Sequence, residues 1–380
     1  MPDAIPVDLA TAFPPGTPEP AGDRHCIALL SGGLDSILAV HFMLDQGVRV
    51  TALQFMTHFG CDGGLGSSCS HDQSSLARRR GFEIKLCHLG QAYIDMVRDP
   101  AHGYGSNMNP CIDCRILMLN WAKDYMKMSG AQFIITCEVL EQRPMSQRRH
   151  SFQEIDRLTG LKGIVVRPLS AQVLDPTIPE QTGLLDRARL GAISGRSRKP
   201  QLELAKRFQI TEIPQPAGGC LLTDPGYSLR LRDLFDHSPG ATPPTDLMLL
   251  QVGRHFRLTP VCKAIVGRDH EENLAIRGYA APGDVLMEIH DHLGPTTLLR
   301  GPAGDAEIAR AAGLTAAHGK KPVPDPATVA WRTVPADPAA PEPRFVTVSI
   351  PSRAAMDAIR VGDVSGGETR PVHRVDRIEV

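Results

Sequence analysis

One stretch limits what this chain can become: Ile27-Ala-Leu-Leu-Ser-Gly-Gly-Leu-Asp-Ser36, followed at once by the apolar Ile37-Leu-Ala-Val40. A short apolar run enters a Gly-Gly turn and an apolar helical pattern leaves it, which predicts strand, loop, helix. Gly32 and Gly33 carry no side chain, so their amides can converge on an anion. A helix starting near Asp35 adds its unpaired N–H groups and the positive end of its dipole. Ser31 and Ser36 offer hydroxyl donors. The Gly-Lys-Ser/Thr ending of a Walker A loop is absent, so this is a phosphate loop of another kind. A bare Gly-Gly turn with polar neighbours is the plainer reading, but it does not account for a buried strand before the turn and a helix after it.

The chain has 380 residues, enough for two or three domains, and 42% of them are hydrophobic. Its formal net charge is −1, which excludes a globally basic nucleic-acid binder and leaves room for a local basic face. Aromatic residues make up 5%, so RNA contact would lean on Arg and Lys more than on stacking. No run is long enough for a membrane-spanning helix, and the acidic, proline-bearing start does not read as a signal peptide. A cytoplasmic protein is expected. Nine cysteines then point to metal or catalytic thiols rather than disulfides.

Along the chain, residues 1–22 are rich in Pro, Ala and Gly and read as a disordered arm. Strand, helix and second strand (about 48–55) predict a parallel sheet with ligands at the carboxyl ends of its strands. A glycine-rich stretch from His58 to His71 holds two Cys and two His. Its spacing fits no usual zinc knuckles and it reads as a mobile loop at the mouth of the site. Asn109-Pro-Cys-Ile-Asp-Cys114 puts a CxxC pair before a helix over 115–128, a place that favours thiolates. Redox chemistry of the thioredoxin kind is the alternative, though the flanking pattern differs. Strand 133–138 delivers Gln142-Arg-Pro-Met-Ser-Gln-Arg-Arg149 to the ligand side, with Ser146 a candidate cap for the next helix. Residues 164–170 read as the last strand. Residues 187–199 are cation-dense and acid-free, and Cys220 follows a glycine-kinked turn. The domain plan is 23–170 for the sheet domain, 171–240 for a basic extension bearing Cys220, and 246–320 for a small α+β module. A linker over 321–344 and a small β appendage over 345–380 complete it.

The Ser-Gly-Gly-Leu-Asp-Ser36 loop resembles that of the PP-loop (N-type) ATP pyrophosphatases, which cut ATP between its α and β phosphates. The first 235 residues resemble the tRNA thiolation enzymes of that superfamily, closest to a thiouridylase-like group, through the CxxC, Gln142–Arg149, Gly195-Arg-Ser-Arg-Lys199 and Pro216-Ala-Gly-Gly-Cys220 stretches. Residues 246–320 resemble the NFACT RNA-binding domain through Ile265-Val-Gly-Arg-Asp269, Glu272-Asn273 and Gly294-Pro295. The resemblance implies an adenine nucleotide alpha hydrolase-like α/β fold with a smaller α+β C-terminal module. It also implies ATP and Mg²⁺ held at Ser31, Gly32, Gly33, Leu34, Asp35 and Ser36, with Phe55 and Thr136 on the nucleotide. Asp35 would help place the metal or the loop. A uridine carbonyl oxygen of tRNA would be adenylated and then replaced by sulfur, releasing AMP and pyrophosphate. Catalytic thiols fall at Cys111, Cys114 and Cys220, either as persulfide carrier and resolving thiol or as ligands of a [4Fe–4S] cluster with one open iron. RNA contacts fall at Arg143, Arg148, Arg149, Arg196, Arg198 and Lys199. Sulfide or the persulfide of a cysteine desulfurase would donate the sulfur, and a homodimer is left open.

Two positions depart from that pattern: Cys137 and Glu141 stand where related chains usually carry glycine. Two rival readings remain. One keeps the ATP chemistry with an amine nucleophile, as in amide-forming synthetases and a lysine-adding tRNA enzyme. The other is an RNA-binding adaptor with a decayed ATP site.

Overall fold

A computed structural model describes residues 24–60, 73–211, 213, 220–335 and 342–362. The arm over 1–22, the glycine-rich loop beyond Gly60, the turn over 214–219 and the last residues of the β appendage lie outside the described residues. The chain divides into two compact units, one up to Cys220 and one from Leu221.

In the first unit β1 (His25–Leu30) is buried at every residue, as a strand covered on both faces must be. Gly32 then turns at φ +73°, and Gly33 caps α1 (Leu34–Asp45). The chain continues through β2 (Arg49–Met56), α2 (Gln73–Arg80), β3 (Glu83–His88), α3 (Gln91–Arg98) and α4 (Cys111–Ser129). After these come β4 (Phe133–Ile135), α5 (Arg149–Leu158), β5 (Val165–Val166), α6 (Ile178–Gln181) and α7 (Lys199–Arg207). The five strands pair in parallel in the order β3-β2-β1-β4-β5. One apolar cluster packs α1 and α7 against one face, and a second packs α4 and α5 against the other. The order of strands reverses at β1, so the loops leaving β1 and β4 part at the crevice where such sheets bind ligands.

Local limits differ from the sequence expectation in three places. Helix α4 starts at Cys111, because Pro110 closes the loop before it and Asp113 serves its first turn, so the CxxC pair lies within the first turn. Helix α5 starts at Arg149 with Arg148 as its cap, whereas Ser146 is buried in a turn closed by Gln147 N–H donating to Arg143 O at 3.1 Å. Strand β5 is two residues long, since Pro168 has no N–H to continue the ladder.

The second unit begins with α8 (Pro225–His237) and α9 (Pro244–Leu249), so residues 221–240 belong to it, whereas the basic stretch at 187–199 belongs to the first. Strands β6 (Arg254–Thr259) and β7 (Cys262–Val266), α10 (His270–Gly278), β8 (Val285–Ile289), β9 (Thr297–Arg300) and α11 (Asp305–Ala317) follow. The stretch expected as linker, 321–344, carries β10 (Ala327–Thr333), which pairs with β8 and β11. Its alternation is real, with Ala327 and Val329 buried, but prolines on both sides hide it in the composition. Beyond it, β11 (Arg344–Val348), α12 (Arg353–Asp357) and β12 (Arg360–Val361) close an all-antiparallel sheet of order β11-β10-β8-β9-β7-β6-β12. Residues 344–361 thus belong to the main sheet of this unit. Among the described residues no helix is long and apolar enough to cross a membrane.

Candidate active site

The glycine loop is built as its residues dictate. Gly32 takes a backbone conformation that a side chain would oppose, and Gly33 delivers the chain into α1. The amides of Leu34 and Asp35 precede the helical ladder and so remain for an anion. Of the two serines, Ser31 is exposed. Ser36 is buried, and its hydroxyl donates to Gly33 O at 2.8 Å, so it fastens the turn instead of facing a ligand. Asp35 accepts a hydrogen bond from Gln142 Nε2 at 3.0 Å, tying the loop after β4 to the loop after β1. Thr136 is buried and donates to Glu138 Oε2 at 3.0 Å, while Phe55 lies half-buried near the end of β2.

Three thiols gather around one phenol. Tyr93, buried on α3, has its hydroxyl 3.2 Å from Cys114 Sγ and lies within the electrostatic reach of Cys111 and Cys220. Cys220 Sγ donates to Phe59 O at 3.2 Å, and the Phe59 ring stands 6.0 Å from that of Tyr93. Burial, and after it the neighbouring thiols, push the Tyr93 phenol well above its ordinary range. The sequence expectation of low-pKa thiolates is corrected at Cys114, where burial pushes the thiol up against the pull of Arg115 and the Tyr93 hydrogen bond. A fourth thiol, Cys137, hydrogen-bonds to the Ser31 side chain and feels the charge of Asp35. Burial raises its pKa as well, again opposed by Arg115.

Next to Cys114 begins a chain of charges that the sequence reading missed, half-buried at Arg115 and buried at Glu138, Arg167 and Asp156. Arg115 Nε stands 3.4 Å from Glu138 Oε1, and Arg167 Nε bonds Glu138 Oε2 at 3.1 Å. Arg167 then grips Asp156 with two bonds of 2.9 and 3.0 Å, its guanidinium 4.0 Å over the Phe152 ring. The available signal was a charged residue closing an apolar strand, once at Glu138 and once at Arg167.

The two basic loops lie side by side. Leu140 and Ser194 form a parallel bridge, Gly195 N–H donates to Leu140 O at 2.7 Å, and Ser170 Oγ bonds Leu140 N and Ile193 O. Arg143, Arg148, Arg196 and Lys199 are exposed and make no ion pair among the described residues. Arg149 instead pairs with Asp175 at 3.3 Å and donates to Val173 O at 2.7 Å. Arg198, half-buried, caps α7.

Among the described residues no three His, Cys, Asp or Glu side chains converge tightly enough to hold a single metal ion. A four-iron cluster takes each thiolate at a separate iron and needs the sulfurs only around a common space. Cys111, Cys114 and Cys220 suit that demand in donor type, and all three interact with the Tyr93 hydroxyl.

Residues 22–173 match the family model described as thiamine biosynthesis protein (ThiI). The first unit carries a ThiI/MnmA-like PP-loop domain. The family model ends before the basic stretch and Cys220, which therefore extend the ThiI-like core. Residues 253–338 separately match the family model described as NFACT protein RNA binding domain. That match runs from β6 into the region expected as linker. Among curated relatives, the tRNA-specific 2-thiouridylase MnmA of Ruegeria pomeroyi is 23% identical over 249 residues, 61% of this chain and 61% of that protein. The same enzyme of Pseudomonas fluorescens is 24% identical over 63% of each chain. The tRNA-specific 2-thiouridylase MnmA 2 of Bacteroides fragilis is 33% identical over 99 residues, 24% of this chain and 28% of that one. The chain thus spans between 28% and 63% of the length of these relatives.

Proposed function

We propose that the chain is an ATP-dependent tRNA sulfurtransferase. ATP would lie with its β and γ phosphates on the loop from Ser31 to Asp35, and a Mg²⁺ ion, which Asp35 would help place, would offset the phosphate charge. A uridine carbonyl oxygen attacks the α phosphate, pyrophosphate departs, and a sulfur nucleophile then displaces AMP from the adenylated base. Exposed Arg143, Arg148, Arg196 and Lys199 hold the RNA backbone, and the base leaves its stack to reach the crevice. The 246–320 module, most of which the NFACT match covers, supplies a second RNA contact. The observation that carries this reading is continuity: Ser31 touches Cys137, Arg115 reaches Cys137, Cys111 and Cys114, and Tyr93 joins these last two to Cys220.

Two sulfur routes fit the thiols. One cysteine can carry a persulfide whose outer sulfur attacks the base, after which a second thiol frees the thiocarbonyl by forming a protein disulfide. Alternatively Cys111, Cys114 and Cys220 hold a [4Fe–4S] cluster, which would supply an open iron for sulfur delivery. Iron analysis and an absorbance scan of anaerobically purified protein separate the two, since a colourless, iron-free protein that still thiolates rules out the cluster.

The test of the reading is tRNA-dependent release of AMP and pyrophosphate with sulfide, followed by mass spectrometry of the nucleosides. Cys111→Ser, Cys114→Ser and Cys220→Ser should each cut thiolation by about 10³-fold while leaving tRNA-dependent ATP–pyrophosphate exchange nearly intact. Equal turnover with ammonia, insensitive to these variants, would favour the amine-using reading. Absence of any exchange would favour an adaptor.

A further inference from the structure

Two arginines share Glu138, and the fold treats them unequally. Arg167 spends its fork on Asp156 and its Nε on Glu138. Arg115, with 23% of its side chain exposed, donates no hydrogen bond among the described residues. Its nearest acid oxygen, Glu138 Oε1 at 3.4 Å, likewise accepts none. A guanidinium carries five N–H donors and does not lose its charge, so unpaired donors in a half-enclosed site ask for an anion from outside. The surroundings say where that anion would stand. The charge of Arg115 reaches Cys111, Cys114 and Cys137, and Cys137 hydrogen-bonds to Ser31 of the glycine loop.

We propose that Arg115 is an anion-binding residue that receives the α-phosphoryl group of the nucleotide through its free fork. The assignment rests on the reading that the glycine loop takes the pyrophosphate end of ATP. Ser31 of that loop is hydrogen-bonded to Cys137, and the charge of Arg115 reaches Cys137, so Arg115 is the cation linked to the loop that takes this end. The fork matches two non-bridging phosphoryl oxygens, as guanidinium groups do with phosphate. It makes no covalent bond and moves no proton. It attracts the charge that gathers on the α phosphate when AMP departs. The loose contact with Glu138 keeps the cation in place without spending its donors.

The test is calorimetric titration of the full chain with AMP and, separately, with inorganic pyrophosphate, both with Mg²⁺ present. Arg115→Lys keeps a countercharge for Glu138 and loses the fork. It should weaken AMP about tenfold and pyrophosphate less than about twofold, with an unchanged thermal midpoint. Arg115→Met should weaken AMP further, about a hundredfold. Equal loss of both ligands in Arg115→Lys, or AMP binding unchanged in a wild type that binds both, overturns the assignment alone. A wild-type protein that binds neither ligand overturns the assignment and the nucleotide reading of the loop together.

Discussion

In the first unit Glu138 and Arg167 stand just past the carboxyl ends of β4 and β5, and they meet Arg115 of α4 and Asp156 of α5. In the second, Asp233 on α8 reaches Arg257 at 2.7 and 3.0 Å and Lys263 at 2.9 Å, two residues paired across β6 and β7. A parallel sheet sends all its strand ends to one edge, so polar groups there are both enclosed and within reach of a ligand. An antiparallel sheet scatters its strand ends, and the same residue types become fastenings between a helix and the sheet. Both oxygens of Asp233 are used, whereas Glu138 Oε1 is left without a hydrogen bond. An unfinished network marks the site and a finished one marks structure.

Trp121 and Trp331 are the two tryptophans of the chain, one in each unit, so Trp→Phe variants let fluorescence follow either unit alone. The largest expected effect is that of Arg167→Met, which strands Asp156 without a countercharge and leaves Glu138 only its loose contact with Arg115. Removing one partner from a buried ion pair typically costs about 3–5 kcal/mol. Urea unfolding watched at Trp121 should lose that much, with the Trp331 transition unmoved. A loss under about 1 kcal/mol would mean that water reaches the network and that the contrast with Asp233 is false.

Next in size is a divergence at alkaline pH. Burial lowers Lys263 to about 8 from its ordinary 10.5, against the pull of Asp233. Between these values the unfolded chain holds a proton that the folded one has released, so the second unit gains stability as pH rises from about 8. In the first unit, burial pushes Cys87 up to about 12 and Cys26 higher still. Above pH 9 the unfolded chain loses protons that the folded one keeps, and the first unit loses stability. Cys262, pushed up to about 11, opposes the gain of the second unit above pH 9, so the clean window is pH 8 to 9. Lys263→Met should abolish the rise there. On the acid side the units agree. His25 and His41 fall to about 4, and His255 falls well below its ordinary value, so both units weaken as pH drops below 6.5.

What was legible in the sequence follows the range of the interactions. The glycine loop is local: its turn, its helix start and its strand all lie within Ile27–Val40. The CxxC pair is legible from spacing alone. The approach of Cys220 to Phe59 spans 161 residues and has no local mark except a glycine-kinked turn. Ser36 shows the opposite failure, since a hydroxyl beside a phosphate loop looks like a ligand donor until the turn is seen to consume it. Strand β10 was hidden because prolines dominate the composition around a seven-residue alternation. The Arg115 and Glu138 pair was visible only as charge at the end of an apolar run, and what it faces depends on three other elements.

The smallest effect separates two turns of the same backbone kind. Glu141, beside the site, stands at φ +63°, and Asp291, between β8 and β9, at φ +50°. Glycine is the residue best suited to the left-handed backbone that Glu141 adopts. A Cβ crowds the carbonyl there, and Asp tolerates the crowding better than Glu because its short side chain can bond locally. The turn at Glu141 holds because its N–H donates to Gln147 O at 2.6 Å, and it leads into Gln142, which bonds Asp35. Glu141→Gly should therefore stabilise the first unit by up to about 1 kcal/mol, less the extra freedom glycine gives the unfolded chain. Asp291→Gly should leave the second unit unchanged within about 0.5 kcal/mol. The same urea unfolding, read at Trp121 and at Trp331, measures both. A gain at Asp291 equal to that at Glu141 would show that the strain is general to such turns, and that the glutamate beside Asp35 carries no burden of its own.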